Sequence, residues 1–182
     1  GGNKYAGTAG FYYGNTSSWN YDTVAVTSGG ADSPTFTVGA GTNLTFDTWW
    51  DTEPSFDWDQ KLVQFCTSAS SCTTLLQIVD MMPPPMPPTF MPSSPGTVFQ
   101  PMMVGANWGE FADGRKFVFI PMGGGFGGGA SSLTSVTLPL SKTLGTGFLR
   151  FSFDSKDGFM NNFEGWYVDN IQVTGAGGAA GV

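Results

Sequence analysis

No long stretch of this chain carries a helical period, and its clearest pattern is the opposite one, a repeat of two. Leu149, Phe151 and Phe153 alternate with Arg150, Ser152 and Asp154. That spacing puts three apolar side chains on one face of a strand and three polar ones on the other. Gly165 to Val173 reads as another strand, rich in aromatic and β-branched residues. With 182 residues, 27 glycines, 15% aromatic residues and only 12% charged ones, the chain can bury one substantial core. Many short strands between glycine-rich turns build an all-β sandwich.

Further strands are expected at 11–13, 21–27, 35–38, 43–50, 60–67, 73–79, 115–121 and 133–138, with 28–32 as a connection. About nine or ten strands suit a two-sheet antiparallel jelly roll. Residues 1–182 are expected to form one domain, with an N-terminal arm (1–20) and a Gly/Ala tail (175–182) able to join a neighbour's sheet edge. The chain has neither an initiator Met nor a signal peptide, which fits a mature or trimmed product.

Two insertions interrupt the pattern between 81 and 130. Residues 81–103 hold 8 of the 12 prolines and 6 of the 8 methionines. The prolines impose an extended, polyproline-like path without backbone donors, so this segment cannot enter the middle of a sheet. Its apolar side chains Met81, Met82, Pro83, Pro84, Pro85, Met86, Phe90 and Met91 are candidate assembly contacts. The competing reading folds this loop over its own sandwich; a Cu(I) site of methionines is a weaker third, given their irregular spacing. The second insertion, 123–129, is six glycines around Phe126.

Chemistry gathers in an acidic loop. Asp51, Glu53, Asp57 and Asp59 fall within nine residues between two expected strands. On a period of two, Asp169 shares a face with Tyr167, Ile171 and Val173, a costly place for a carboxylate without a cation. With 7 Lys+Arg and no His, side-chain cations are scarce, and oxygen ligands suit calcium. The alternative is a solvated loop and an Asp169 exposed by a bulge. Cys66 and Cys72 flank a small polar turn and fall opposite each other in a hairpin, where a disulfide is sterically reasonable. Such a bond points to an extracellular or cell-surface location.

Phe46-Asp47-Thr48-Trp49-Trp50-Asp51-Thr52-Glu53, then Phe56-Asp57, resembles the first half of a secreted β-jelly-roll family. That family comprises MAM-like modules and the C-terminal domains of immune-inhibitor-type bacterial metalloproteases. Leu149 to Asp154 and Asn162-Phe163-Glu164-Gly165-Trp166-Tyr167-Val168-Asp169-Asn170 resemble its second half, with Val136 to Ser141 between. The likeness covers 20–80 and 133–174 and leaves 81–130 unexplained. It implies a calcium-stabilised, non-catalytic sandwich, with Glu53, Asp57 and Asp169 as candidate ligands and Asn162 and Asp157 after them.

A net charge of −7 argues against nucleic acid and anionic membrane surfaces, and no apolar run reaches the about 18 residues of a spanning helix. Without His there is no Ser-His or Cys-His nucleophile. The glycine run lacks the Lys-Ser/Thr of a phosphate-binding loop. The remaining enzymatic reading is a glycosidase using Glu53 and Asp57 among Trp49, Trp50 and Trp58. The preferred expectation is no catalytic residue and an extracellular structural subunit, homo-oligomeric or polymeric, that self-assembles into a filament or surface layer. The alternative is a module binding a glycan or a surface protein through Trp19, Trp58 or Trp108. Asn15-Thr16-Ser17 and Asn43-Leu44-Thr45 match the N-glycosylation pattern.

Overall fold

The computed structural model describes residues 10–53, 58–79, 107–110, 116–119 and 134–175. Among these residues eleven strands form, and the only helical element is a 3-10 turn at Lys142–Leu144. The first half holds β1 (Phe11–Tyr13), β2 (Ser28–Asp32), β3 (Phe36–Thr37), β4 (Asn43–Asp51), β5 (Gln60–Ser68) and β6 (Ser71–Val79). The second holds β7 (Asn107–Glu110), β8 (Lys116–Phe119), β9 (Thr134–Pro139), β10 (Thr146–Asp154) and β11 (Gly165–Thr174).

One sheet runs β1-β11-β4-β9; the other runs β2-β10-β5-β6-β8-β7, with β3 also pairing β10. The chain passes from one sheet to the other between β1 and β2, β3 and β4, β4 and β5, β8 and β9, β9 and β10, and β10 and β11. This is the jelly-roll order, with β7 and β8 extending the second sheet. Pairing is antiparallel except between β6 and β8.

The two sheets meet through the side chains that the period of two singled out. Leu149, Phe151 and Phe153 are buried, while Arg150, Ser152 and Asp154 are only partly so. Phe46 of β4 meets Phe151 of β10 edge-on, with ring centroids 5.3 Å apart. Phe36 meets Phe65 in the same way at 5.8 Å. Burying a side chain of this kind contributes about 1.5–3 kcal/mol. Among the described residues, the buried aliphatic and aromatic side chains belong to one connected cluster.

The strand expected at Tyr21 to Thr27 is absent, and the connection expected at Ser28 to Asp32 is β2. A glycine explains why β2 forms. A Cβ on Gly30 would lie 2.9 Å from the carbonyl oxygen of Phe151, so only glycine lets β2 approach β10 this closely. Tyr21 to Thr27 is instead tied by side chains: Val24 N–H donates 2.8 Å to Asp22 Oδ1, and Thr27 N–H donates 3.0 Å to Ser155 Oγ. Strand β7 had no counterpart among the expected ones. The Pro/Met segment with Met81, Met82, Pro83, Pro84, Pro85, Met86, Phe90 and Met91 lies outside the described residues. So do the glycine run at 123–129, Asp57 and the tail beyond Gly175.

Candidate functional site

The acidic loop closes one end of the sandwich, between β4 and β5, and two other connections meet it there. Tyr21, from the loop before β2, donates its hydroxyl to Asp59 Oδ2. Glu53 N–H donates to the same oxygen at 2.6 Å. Asp59 N–H donates 3.3 Å to the Ser155 carbonyl, and Ser155 N–H donates 3.0 Å to the Thr27 carbonyl. Tyr21 and Thr27, Glu53 and Asp59, and Ser155, from three separate connections, are therefore one hydrogen-bonded unit. Its acidic side chains crowd one another. Burial raises the Glu53 carboxyl above its ordinary range, and the charges of Asp59 and Asp157 push it the same way.

A cation is already present beneath this unit. Lys61, one of 7 basic residues in the chain, is buried in β5. Its Nζ donates 2.6 Å to Thr52 Oγ1 and 3.0 Å to the Asp59 carbonyl. The alternation of β5 signals this position, because Lys61 shares its face with Val63 and Phe65, both buried. The count of basic residues alone gives no sign of it. Asp59, a carboxylate of the acidic loop but not one of the expected ligands, is 1% exposed and central to the hydrogen bonding.

The loop 155–164 supplies further oxygens. Asp157 is partly buried; its Oδ1 accepts 2.9 Å from Phe159 N–H, and its carbonyl accepts 3.2 Å from Asn161 Nδ2. Asn161 is buried, and its Oδ1 has no hydrogen-bond partner among the described residues. Asn162, the residue named from the sequence, is exposed. The two neighbours differ by one step along an irregular loop, where no period predicts which side chain turns inward. Glu164 is buried farther on, where its Oε1 accepts 3.0 Å from the Tyr167 hydroxyl. Burial pushes the Tyr12 hydroxyl up to about 12, and burial together with the Glu164 hydrogen bond also raises Tyr167.

Asp169 does not join this group. It stands opposite Asp47, whereas Asp51, two residues before Glu53, stands opposite Gly165. Four residues of strand separate the two positions, about 13 Å at 3.3 Å per residue. The expected face is also different. A bulge between Asp169 and Gln172, with Asn170 at φ 51, inserts one residue into β11. Val173 then lies opposite the buried Leu44, on the face between the sheets, while Asp169 shares the other face with Tyr167, which Tyr12 covers. There Asn170 Nδ2 donates 2.7 Å to Asp47 Oδ2, and Asn170 N–H donates 2.7 Å to Asp169 Oδ1.

Of the expected ligands, then, Glu53 and Asp157 are near enough for their charges to interact, Asn161 rather than Asn162 is the buried neighbour, and Asp169 stands apart. Among the described residues no three His, Cys, Asp or Glu side chains are gathered as a metal-ligand set. The donor chemistry of the loop end nevertheless suits a hard cation: two carboxylates and a buried amide oxygen, with no nitrogen or sulfur ligand.

Apolar tips rim the same end. Val24 is 91% exposed and Phe159 78%, and Val26, Trp58 and Met160 are exposed too. The loops that carry Val24 and Phe159 touch: a Cβ on Gly158 would lie 3.1 Å from the Ala25 Cα. Residues of these loops hold left-handed backbone: Val24 at φ 55, Asp59 at φ 48, Lys156 at φ 67 and Met160 at φ 53. For a β-branched residue that conformation is a true outlier, and such strain collects at binding sites.

The opposite end of β5 carries the disulfide. Cys66 and Cys72 are bonded and lie opposite each other in the β5–β6 hairpin. Arg150 donates to both carboxylate oxygens of Asp32, at 2.7 and 2.8 Å, and to the Ala69 carbonyl at 3.0 Å. This hydrogen-bonded ion pair holds the Asp32 carboxyl below its ordinary range. Of the two sequons, Asn15 is exposed in the loop after β1, and Asn43 is half-buried at the start of β4. Comparison with family models, with curated proteins and with solved structures finds no match.

Proposed function

We propose that this chain is an extracellular, non-catalytic β-sandwich subunit that makes contacts through its loop end, with calcium holding that end in shape. One observation carries the reading. All the large exposed apolar side chains among the described residues except Phe11 sit on the connections around Glu53, Asp59 and Asp157. An apolar rim on strained, hydrogen-bonded loops is a surface made for contact. Glu53, Asp157 and Asn161 would hold the ion, with Asp57 in the same loop. Bound calcium supplies a divalent charge that offsets the mutual repulsion of these carboxylates. In this reading, repeated contacts between copies build a filament or surface layer, and the segment from Met81 to Met91 adds a second contact. A binding module is the rival reading. The exposure of Trp58 beside carboxylates favours it, since an aromatic ring can stack on a sugar.

Electron microscopy of the protein with calcium and with chelator separates these readings. Ordered polymers that disperse in chelator support assembly and the ion together; monomers in both conditions turn the question to glycan binding. Chelation itself is a direct check on the ion. Calcium at a hundredfold over its dissociation constant adds about 2.7 kcal/mol. For a domain of this size, its removal is expected to lower Tm by about 5–10 °C. An unchanged melt would remove calcium from the proposal.

A further inference from the structure

We propose that Asn15 is the acceptor of an N-linked glycan and that Asn43, in the second sequon, is not; this rests on the extracellular reading above. The two sites share a sequence pattern and differ in geometry. Asn15 is exposed, and its Oδ1 accepts hydrogen bonds from Ser17 N–H at 2.8 Å and Ser18 N–H at 3.3 Å. This is an Asx turn, in which the side-chain carbonyl closes a ring onto the backbone two residues on. It brings the hydroxyl residue of the sequon, Ser17, round to the carboxamide. Asn15 Nδ2 makes no hydrogen bond among the described residues, so the reacting nitrogen is open to a donor.

The loop around it is held from both ends. Asn15 N–H donates 2.7 Å to the Asn20 carbonyl, and Trp19 N–H donates 2.7 Å to the Asn15 carbonyl. The Trp19 backbone is left-handed at φ 52, and its ring packs on Tyr12 with centroids 5.9 Å apart. The Asx turn itself spans four residues, so it can form on the nascent chain before the sheets assemble. Asn43 is the contrast. It lies in β4 between β11 and β9, where extended backbone keeps Thr45 a full strand repeat away. Its Nδ2 is engaged, donating 3.0 Å to the Gly41 carbonyl.

The donor class is an oligosaccharide linked through pyrophosphate to a lipid. The bond from Asn15 Nδ2 to the anomeric carbon forms as the anomeric C–O bond to pyrophosphate breaks. The departing lipid pyrophosphate takes that electron pair, and one amide proton passes to a base of the transferase.

The test is secretory expression of the whole chain in a glycosylating eukaryotic host. Intact mass is read before and after peptide-N-glycosidase on both secreted and cell-retained protein, together with free-thiol content. The expected result is one glycan, released with conversion of Asn15 to aspartate, lost in Asn15→Gln and in Ser17→Ala, and kept in Asn43→Gln. Secreted, disulfide-bonded protein without a glycan, or with one on Asn43 instead, overturns the inference and leaves the extracellular reading standing. Protein retained with free thiols counts against the extracellular reading, and its glycan state still decides the site.

Discussion

The two ends of β5 solve the same problem by opposite means. At the hairpin end a covalent bond, Cys66–Cys72, ties β5 to β6, and the charged pair Arg150–Asp32 sits in solvent beside it, with side chains 24% and 43% exposed. At the loop end no covalent tie exists among the described residues. Lys61 and Asp59 are buried instead, at 0% and 1% exposure, and three loops hang on their hydrogen bonds. Water screens the first arrangement and makes its charges cheap; desolvation makes each charge at the second expensive and each partner indispensable. A strained, charged and apolar-rimmed end resting on such a network reads as a working surface, while a stapled end reads as scaffold.

The largest test of that contrast is Lys61→Met, which keeps the volume and removes the buried charge. It is expected to cost about 3–5 kcal/mol in urea unfolding, because Thr52 Oγ1 and the Asp59 carbonyl each lose a hydrogen bond to a buried charged group, about 1.5–3 kcal/mol apiece. A loss under about 1 kcal/mol would show that the loop end does not depend on Lys61. Removing the disulfide with Cys66→Ser and Cys72→Ser together is expected to cost about 2 kcal/mol, the loop-closure entropy of so short a ring. If the double variant proves the more damaging of the two, the ranking of the ends reverses.

Glu53 supplies a finer test. Its carboxyl titrates higher in the folded chain than in the unfolded one. The folded state therefore binds more protons across that interval, and stability without calcium falls as pH rises through it. Glu53→Gln is expected to flatten this slope and to weaken the response to calcium; parallel stability–pH curves for variant and wild type would count against both. The smallest effect is expected from Arg150→Ala, at most about 1 kcal/mol because the pair is exposed and screened. Asp32 is lowered in the folded state, so its contribution is present above its unfolded value and fades as acid titrates it. A larger loss would point to Arg150 acting through the Ala69 carbonyl and the hairpin turn.

Most of the jelly roll was legible in the chain, because strands with one buried face write their period into the sequence. Leu149, Phe151 and Phe153 are the plainest case, and the cysteine hairpin followed from its turn. Legibility failed where backbone contact decided the outcome. Ser28 to Asp32 looks like a connection, since it has almost no side chains; it is a strand for that same reason, with Gly30 pressed against Phe151. Tyr21 to Thr27 has strand-like residues and is bound as a loop by Asp22 and Ser155.

The candidate site divides in the same way. Composition and spacing by themselves determined that carboxylates would collect between β4 and β5, that Cys66 would meet Cys72, and that two sandwich faces would alternate. They depend on neighbours in the chain and on periods of two, which any local window contains. Only the tertiary structure decided that a one-residue bulge puts Val173 on the core face and leaves Asp169 on the other, that Asn161 rather than Asn162 faces inward, and that Lys61 lies beneath Asp59. Those outcomes depend on register across strands distant in sequence and on which charges end up without water, and neither is a property of any local stretch of the chain.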